Sequence, residues 1–168
     1  MTEFGISLGA NLGRRLRNLR TARRRLEQIE GLRVRACSPV YETEPLGVPP
    51  AHRRRRFLNA VIVAEGPLSP NRLLAELRRI EREMGRPARR PKNAPRTIDL
   101  DLLYAGGLRL RSRRLTLPHP RWADRRFVVR PLADVRPDLK LPGRDMTVRQ
   151  ALLPLPKNPK VVLLSRRW

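Results

Sequence analysis

Apolar positions recur along this chain with two periods, and the switches between them mark out its elements. "FGISLGA" near the start reads as a short strand ending in small residues. In "NLGRRLRNLRTARRRLEQIEG" the spacing of Leu16, Leu19, Leu26 and Ile29 predicts a helix that stops before Gly31. "LRVRACSPVYET" alternates and predicts a second strand, and "FLNAVIVAEG" a strongly apolar third. In "SPNRLLAELRRIEREMG", Ser69 stands at the N-cap, Pro70 at the first helical position and Gly85 after the last turn, with Leu73, Leu77, Ile80 and Met84 as the stripe. "TIDLDLLY" predicts a further strand. Beyond it come a short strand near "RLTLP", a turn or short helix at "HPRWADRRF", short helices in "FVVRPLADV" and "TVRQALL", and a last strand in "KVVLL".

Two stretches carry neither period. "EPLGVPPAHRRRR" is a Pro- and Arg-rich loop, and "RPARRPKNAPR", with three prolines, leads irregularly into the aspartate-bearing strand. Strands and helices alternate in the first half, but the strands cluster in pairs, so the expected fold class is α+β, a sandwich with a mostly antiparallel sheet flanked by helices. At 168 residues, with no repeat and no internal boundary, residues 1–168 are expected to form one domain.

Charge widens the field of functions and then narrows it. Lys and Arg number 38 against 15 Asp and Glu, a formal net charge of +23 that suits a nucleic-acid binder or an enzyme of polyanions. The arginines are scattered over helix faces, loops and termini, and aromatic content is 4%, too low for a row of base-stacking platforms, so no specific nucleic acid is expected. Cys37 is the one cysteine, which excludes an intramolecular disulfide and any cysteine-rich metal site. The start lacks the basic-then-apolar order of a signal peptide, and no apolar run approaches the roughly 20 residues that span a bilayer, so a cytoplasmic protein without a membrane partner is expected.

The candidate chemistry lies in "NAPRTIDLDLLYAGG". On a strand, Asp99 and Asp101 share one face while Ile98, Leu100 and Leu102 point to the other. Two rises separate the two aspartate Cα atoms by about 6.6 Å, so without water between them the carboxylates repel and call for a cation. Arginines would serve, and so would divalent metal ions, for which hard oxygen ligands on a rigid strand are suited. Spacing alone favours the plainer of these, an edge strand whose acidic face is neutralised by Arg96 and its neighbours, because D-x-D is a low-information pattern.

The surrounding motifs change that balance. "APRTIDLDLLY" followed by "RLTLPHPRWADRRFVVRPLAD" resembles the signature region of the 6-hydroxymethyl-7,8-dihydropterin pyrophosphokinase family of the folate pathway. "SLGANLG", "SPVYETEPLG", "FLNAVIVAEG" and "RIEREMGR" resemble the same family in the same order, over about Ile6 to Leu139. The resemblance implies a ferredoxin-like α/β sandwich, and transfer of the terminal diphosphoryl group of ATP to the hydroxymethyl oxygen of the reduced pterin, with attack at the β-phosphorus and release of AMP. It implies that Asp99 and Asp101 hold two Mg²⁺ ions that arrive with ATP. Small-molecule substrates are then the expected partners, and the enzyme is expected to act as a monomer.

The resemblance also distributes roles. Arg86 and Arg96 would act in catalysis, and Arg89, Arg114, Thr116 and His119 would contact ATP. Phe57 and Phe127 match the positions that sandwich the pterin, Asn59 the residue that reads its edge, and Thr43 and Leu46 would add backbone contacts from the "YETEPLG" loop. Alone, each Phe is better read as core and His119 equally as a packing or capping residue; the family motifs shift both readings. The chain departs from the family pattern at Asn93, where many relatives carry tryptophan, at Ala94 in place of glycine and at Ala88 in place of an arginine. The loops Gly47 to Arg56 and Arg86 to Pro95 flank the site and are expected to close over bound substrates.

Overall fold

In a computed structural model, described here for residues 1–45, 55–86 and 94–168, the alternating segments become one antiparallel sheet. Strand β1 (Thr2–Ala10) lies between β4 (Phe57–Gly66) and β5 (Asp99–Ala105), and β4 pairs in turn with β2 (Arg33–Cys37) and β3 (Val40–Thr43). Helices α1 (Arg15–Glu27) and α2 (Pro70–Glu83) give the order β1-α1-β2-β3-β4-α2-β5, the β-α-β-β-α-β pattern of the ferredoxin-like sandwich with its second strand divided between β2 and β3. The last strand, β8 (Val161–Ser165), extends the sheet beyond β3. No helix among the described residues is long and apolar enough to cross a membrane.

The segment read as a single second strand is two. β2 and β3 pair with successive stretches of β4, and the break falls at Ser38 and Pro39. Pro39 has no N–H for a ladder. Ser38 bridges the gap: its N–H donates to the Val61 carbonyl and its Oγ accepts from the Val61 N–H, each at 2.9 Å. The short strand expected near "RLTLP" is β7 (Thr116–Leu117), which pairs with β6 (Leu110–Arg111) in a small hairpin.

The two sheet faces have different fates. One packs Phe4, Ile6, Leu8, Leu58, Ile62, Leu100 and Leu102 against Leu19 and Leu26 of α1 and Leu73, Leu77 and Ile80 of α2. Ser69 caps α2 as expected, its hydroxyl accepting from the Arg72 N–H, and Gly85 takes the left-handed φ of 87° that ends it. The opposite face changes character along the strands. Its apolar half, Val61, Leu103 and Tyr104, is covered by α3 (Arg126–Val135), α4 (Val148–Leu152) and a 3₁₀ turn at Trp122–Asp124. A register shift in the β1–β5 ladder brings Tyr104 opposite Gly5, where a Cβ would land inside the tyrosine ring. The other half of this face is polar, and the site lies there.

Candidate active site

Strand register assembles the polar half row by row. Asp101 stands opposite Ser7, and Asp99 opposite Gly9, which in turn faces Asn59 on β4. The shared face expected for the aspartates is observed, since Leu100 and Leu102 are buried in the core on the other side. Two inter-strand spacings separate Asp99 from Asn59, about 10 Å, and Gly9 leaves an open trough between them. A Cβ on Gly9 would come within 3.4 Å of the Asn59 Oδ1.

β5 is the edge strand that spacing alone suggested, and on it Asp99 is neutralised by arginines, Arg96 among them. Asp99 accepts from Arg86 Nη1 at 2.7 Å on one oxygen and is paired with Arg96 Nη2 at 3.1 Å on the other. Asp101 is half-buried. Desolvation, and then the Asp99 charge, push its carboxyl above the ordinary range, against the pull of His119, Arg125 and Arg96.

His119 is brought beside Asp101. Its N–H donates to the Leu103 carbonyl at 2.7 Å, anchoring the segment after β7 to β5. Its Nδ1 accepts from the Arg121 N–H at 3.2 Å, which assigns the proton of the neutral ring to Nε2. Burial, opposed by Asp101, lowers its pKa, so at neutral pH the ring is an uncharged N–H donor.

Arg96 is held at both ends. Its backbone N–H donates to Asn11 Oδ1 at 2.8 Å and its carbonyl accepts from the Asn11 N–H, while its guanidinium lies over the Phe57 ring, 5.5 Å from the centroid. Phe127 sits at the rim of the α3 cluster with Arg125 over its ring at 5.7 Å. Each phenylalanine therefore presents a face already covered by a planar cation. Asn59 is buried and its Nδ2 donates to Thr43 Oγ1 at 2.6 Å. Thr43 is the last residue of β3 rather than part of a loop, and its side chain holds Asn59 through this bond.

The remaining candidates lie further out. Thr116 shares with His119, Arg109, Arg111 and Arg144 the lining of a cavity of about 340 Å³ behind the hairpin. Arg114 is exposed in the hairpin turn, its N–H donating to Ser112 Oγ, and is not brought to the aspartates by any contact seen here. Leu46 and Arg89, with the departures at Ala88 and Asn93 and most of both expected lids, lie outside the described residues.

Two groups escaped the sequence reading. Glu81 is buried against the aspartate strand, accepting from the Leu100 N–H at 2.8 Å and from Arg86. Its signal was available: it follows Leu77 by four residues and precedes Met84 by three, inside the apolar stripe. Burial pushes its carboxyl up to about 7, the Leu100 N–H and Arg86 opposing and the two aspartates reinforcing. Arg125 faces Asp101, half-buried, but nothing distinguished it among its many neighbouring arginines.

The donor set suits a hard divalent cation. No cluster of three or more His, Cys, Asp or Glu placed to hold a metal occurs among the described residues. A pair of carboxylates is nevertheless what Mg²⁺ uses when phosphate oxygens and waters complete its shell. Fold and site thus define a class: an α+β sandwich whose sheet carries, on one polar face, an arginine-ringed acidic pair suited to a metal-bound polyanion and, across a glycine, a buried amide.

Residues 5–137 match the family model of 7,8-dihydro-6-hydroxymethylpterin-pyrophosphokinase (HPPK), and the chain belongs to this family. It is 40% identical over 150 residues to the 2-amino-4-hydroxy-6-hydroxymethyldihydropteridine pyrophosphokinase of Pseudomonas aeruginosa, covering 89% of this chain and 90% of that one. It is 39% identical over 153 residues to the folic acid synthesis protein fol1 of Schizosaccharomyces pombe, covering 91% of this chain but spanning only 20% of that protein's length. The fold is that of a Plasmodium falciparum HPPK-DHPS crystal structure with pteroate, with a TM-score of 0.70 at 14% identity, over 91% of this chain and 42% of that one.

Proposed function

We propose that this chain transfers the diphosphoryl group of ATP to the hydroxymethyl oxygen of 6-hydroxymethyl-7,8-dihydropterin, a step of folate biosynthesis. The acceptor oxygen forms a bond to the β-phosphorus, the bond from that phosphorus to the α,β-bridging oxygen breaks, AMP leaves, and the hydroxyl proton passes to solvent. The observation that carries this reading is the row Asp99, Gly9, Asn59: an acidic, arginine-ringed end and a buried amide end on one sheet face, with a glycine trough between.

In this reading Asp99 and Asp101 hold two Mg²⁺ ions that enter with the nucleotide. Bound there, the metal would supply positive charge to offset that of the phosphate oxygens and of the moving diphosphoryl group. Arg86, Arg96 and Arg125 supply donors to the phosphates, and His119 offers Nε2–H without adding charge. Asn59, pinned by Thr43, keeps one N–H and its Oδ1 for the amide edge of the pterin. Phe57 provides a ring face that a planar cation already occupies and a planar heterocycle can take over.

The test is product identity. Incubation with ATP, Mg²⁺ and the hydroxymethyl dihydropterin should release AMP, not ADP, and only when the pterin is present. Asp99→Ala and Asp101→Ala should each abolish most of it. Pterin-independent ADP, or no turnover together with oligonucleotide binding that weakens steeply with salt, would exclude this reading.

A further inference from the structure

We propose that Glu81 is a positioning residue for the transfer reaction, holding the Leu100 amide and the Arg86 guanidinium on one carboxylate and thereby fixing the aspartate strand and its neighbouring cation. The inference rests on the diphosphoryl-transfer reading above.

Glu81 occupies a position where helix packing asks for an apolar residue. Leu73, Leu77 and Ile80 of α2 are buried, and Glu81 on the same face is 6% exposed. A buried, unpaired carboxylate is costly, and even a whole buried ion pair is often no more stabilising than apolar residues of similar volume. Packing alone therefore gives no reason for an acid here.

Its contacts give one. β5 is an edge strand, so an amide on its outer side has no neighbouring strand to bond. The Leu100 N–H finds Glu81 Oε1 instead, at 2.8 Å, and Leu100 is the residue between the two aspartates. The same Oε1 accepts from Arg86 Nη1, and that Nη1 also donates to Asp99 Oδ1 at 2.7 Å. One oxygen thus ties α2 to the backbone between Asp99 and Asp101 and to the cation facing them. Without it the strand segment loses its outer tether, and Arg86 is free to settle on Asp99 alone, where it competes with whatever else that carboxylate must bind.

The experiment compares Glu81→Leu, which suits the apolar stripe and removes both bonds, with Glu81→Gln, which keeps an acceptor for Leu100 but not the charge restraining Arg86. Melting temperature, kcat, KM and hydrogen exchange at the Leu100 amide are measured for both and for the wild type. Glu81→Leu should keep or raise Tm, lose protection at Leu100 and lower kcat by about 100-fold, the scale of a small misplacement at a transfer site. The pterin KM should stay unchanged, because Asn59 and Thr43 are held separately. Glu81→Gln should restore Leu100 protection and part of kcat. Wild-type kcat in Glu81→Leu, or Leu100 protection undiminished there, overturns the assignment. Should the leucine variant not fold, Glu81→Gln decides, since an unchanged kcat in the folded variant overturns it and a reduced kcat with Tm unchanged or raised supports it. A wild-type protein that makes no AMP would instead fail the underlying reading, and this proposal with it.

Discussion

Asp101→Asn should make the ligand-free protein more stable while removing its response to Mg²⁺-nucleotide. The two aspartate Cα atoms are two strand rises apart, about 6.6 Å, and unit charges at that spacing repel by about 2.5 kcal/mol at an effective dielectric constant of about 20. Arg125 and Arg96 return part of this to Asp101, which leaves a net gain of about 1 kcal/mol, or about 2–4 °C in Tm for a chain of this size. The sign carries a pH signature. Burial and Asp99 raise the Asp101 pKa in the folded state, so the folded protein holds this proton more tightly than the unfolded chain, and that stabilisation is lost as pH rises through the folded value. Asparagine mimics the protonated acid. The gain should therefore be full at about pH 8 and shrink toward the unfolded-state value near 3.9. Thermal melts at both ends of this range, with and without a non-hydrolysable ATP analogue and Mg²⁺, measure it. In the wild type, nucleotide at about 100-fold over its Kd should add about 2.7 kcal/mol, and in Asp101→Asn this increment should vanish. A lower Tm for the variant at pH 8, a gain equal at both pH values, or an intact nucleotide increment would refute the reasoning.

Three further outcomes follow from the same geometry. Gly9→Val should fill the trough beside Asn59 and raise the pterin KM by about tenfold or more, with little change in the ATP KM; steady-state kinetics in each substrate decide it. Gly5→Ala should cost about 1–3 kcal/mol, because the added methyl meets the Tyr104 ring, while kcat of the folded enzyme is kept; a wild-type denaturation midpoint would contradict the close packing. Glu81, raised from 4.5 to about 7 in the fold, stabilises the ligand-free protein while protonated, so its contribution falls away between those values as pH rises, by at most about 3 kcal/mol. Glu81→Gln should flatten that part of the stability profile, and a profile unchanged by the substitution would show that another group is responsible.

Much of this molecule is written locally. The cap at Ser69, the stop at Gly85 and the shared face of Asp99 and Asp101 depend on residues within a few positions of one another, so helix and strand periods were enough to reveal them. The split between β2 and β3 was hidden because it turns on a long-range bond, the Ser38 side chain completing the ladder to Val61 across 23 positions. Glu81 was passed over because a period places it in the stripe but does not say which strand edge the stripe will meet. The arginines show the limit most clearly. Sequence put many of them near the motifs, yet Arg86, Arg96 and Arg125 reach the carboxylates while Arg114 stands in solvent, and only the packing of helix and loop against the β5 edge separates them. The sequence by itself determined the elements, the acidic pair and, through its motifs, the family. Tertiary structure decided which charges face one another, because a Coulomb term depends on distances that strand register and helix docking set, and no local period encodes those.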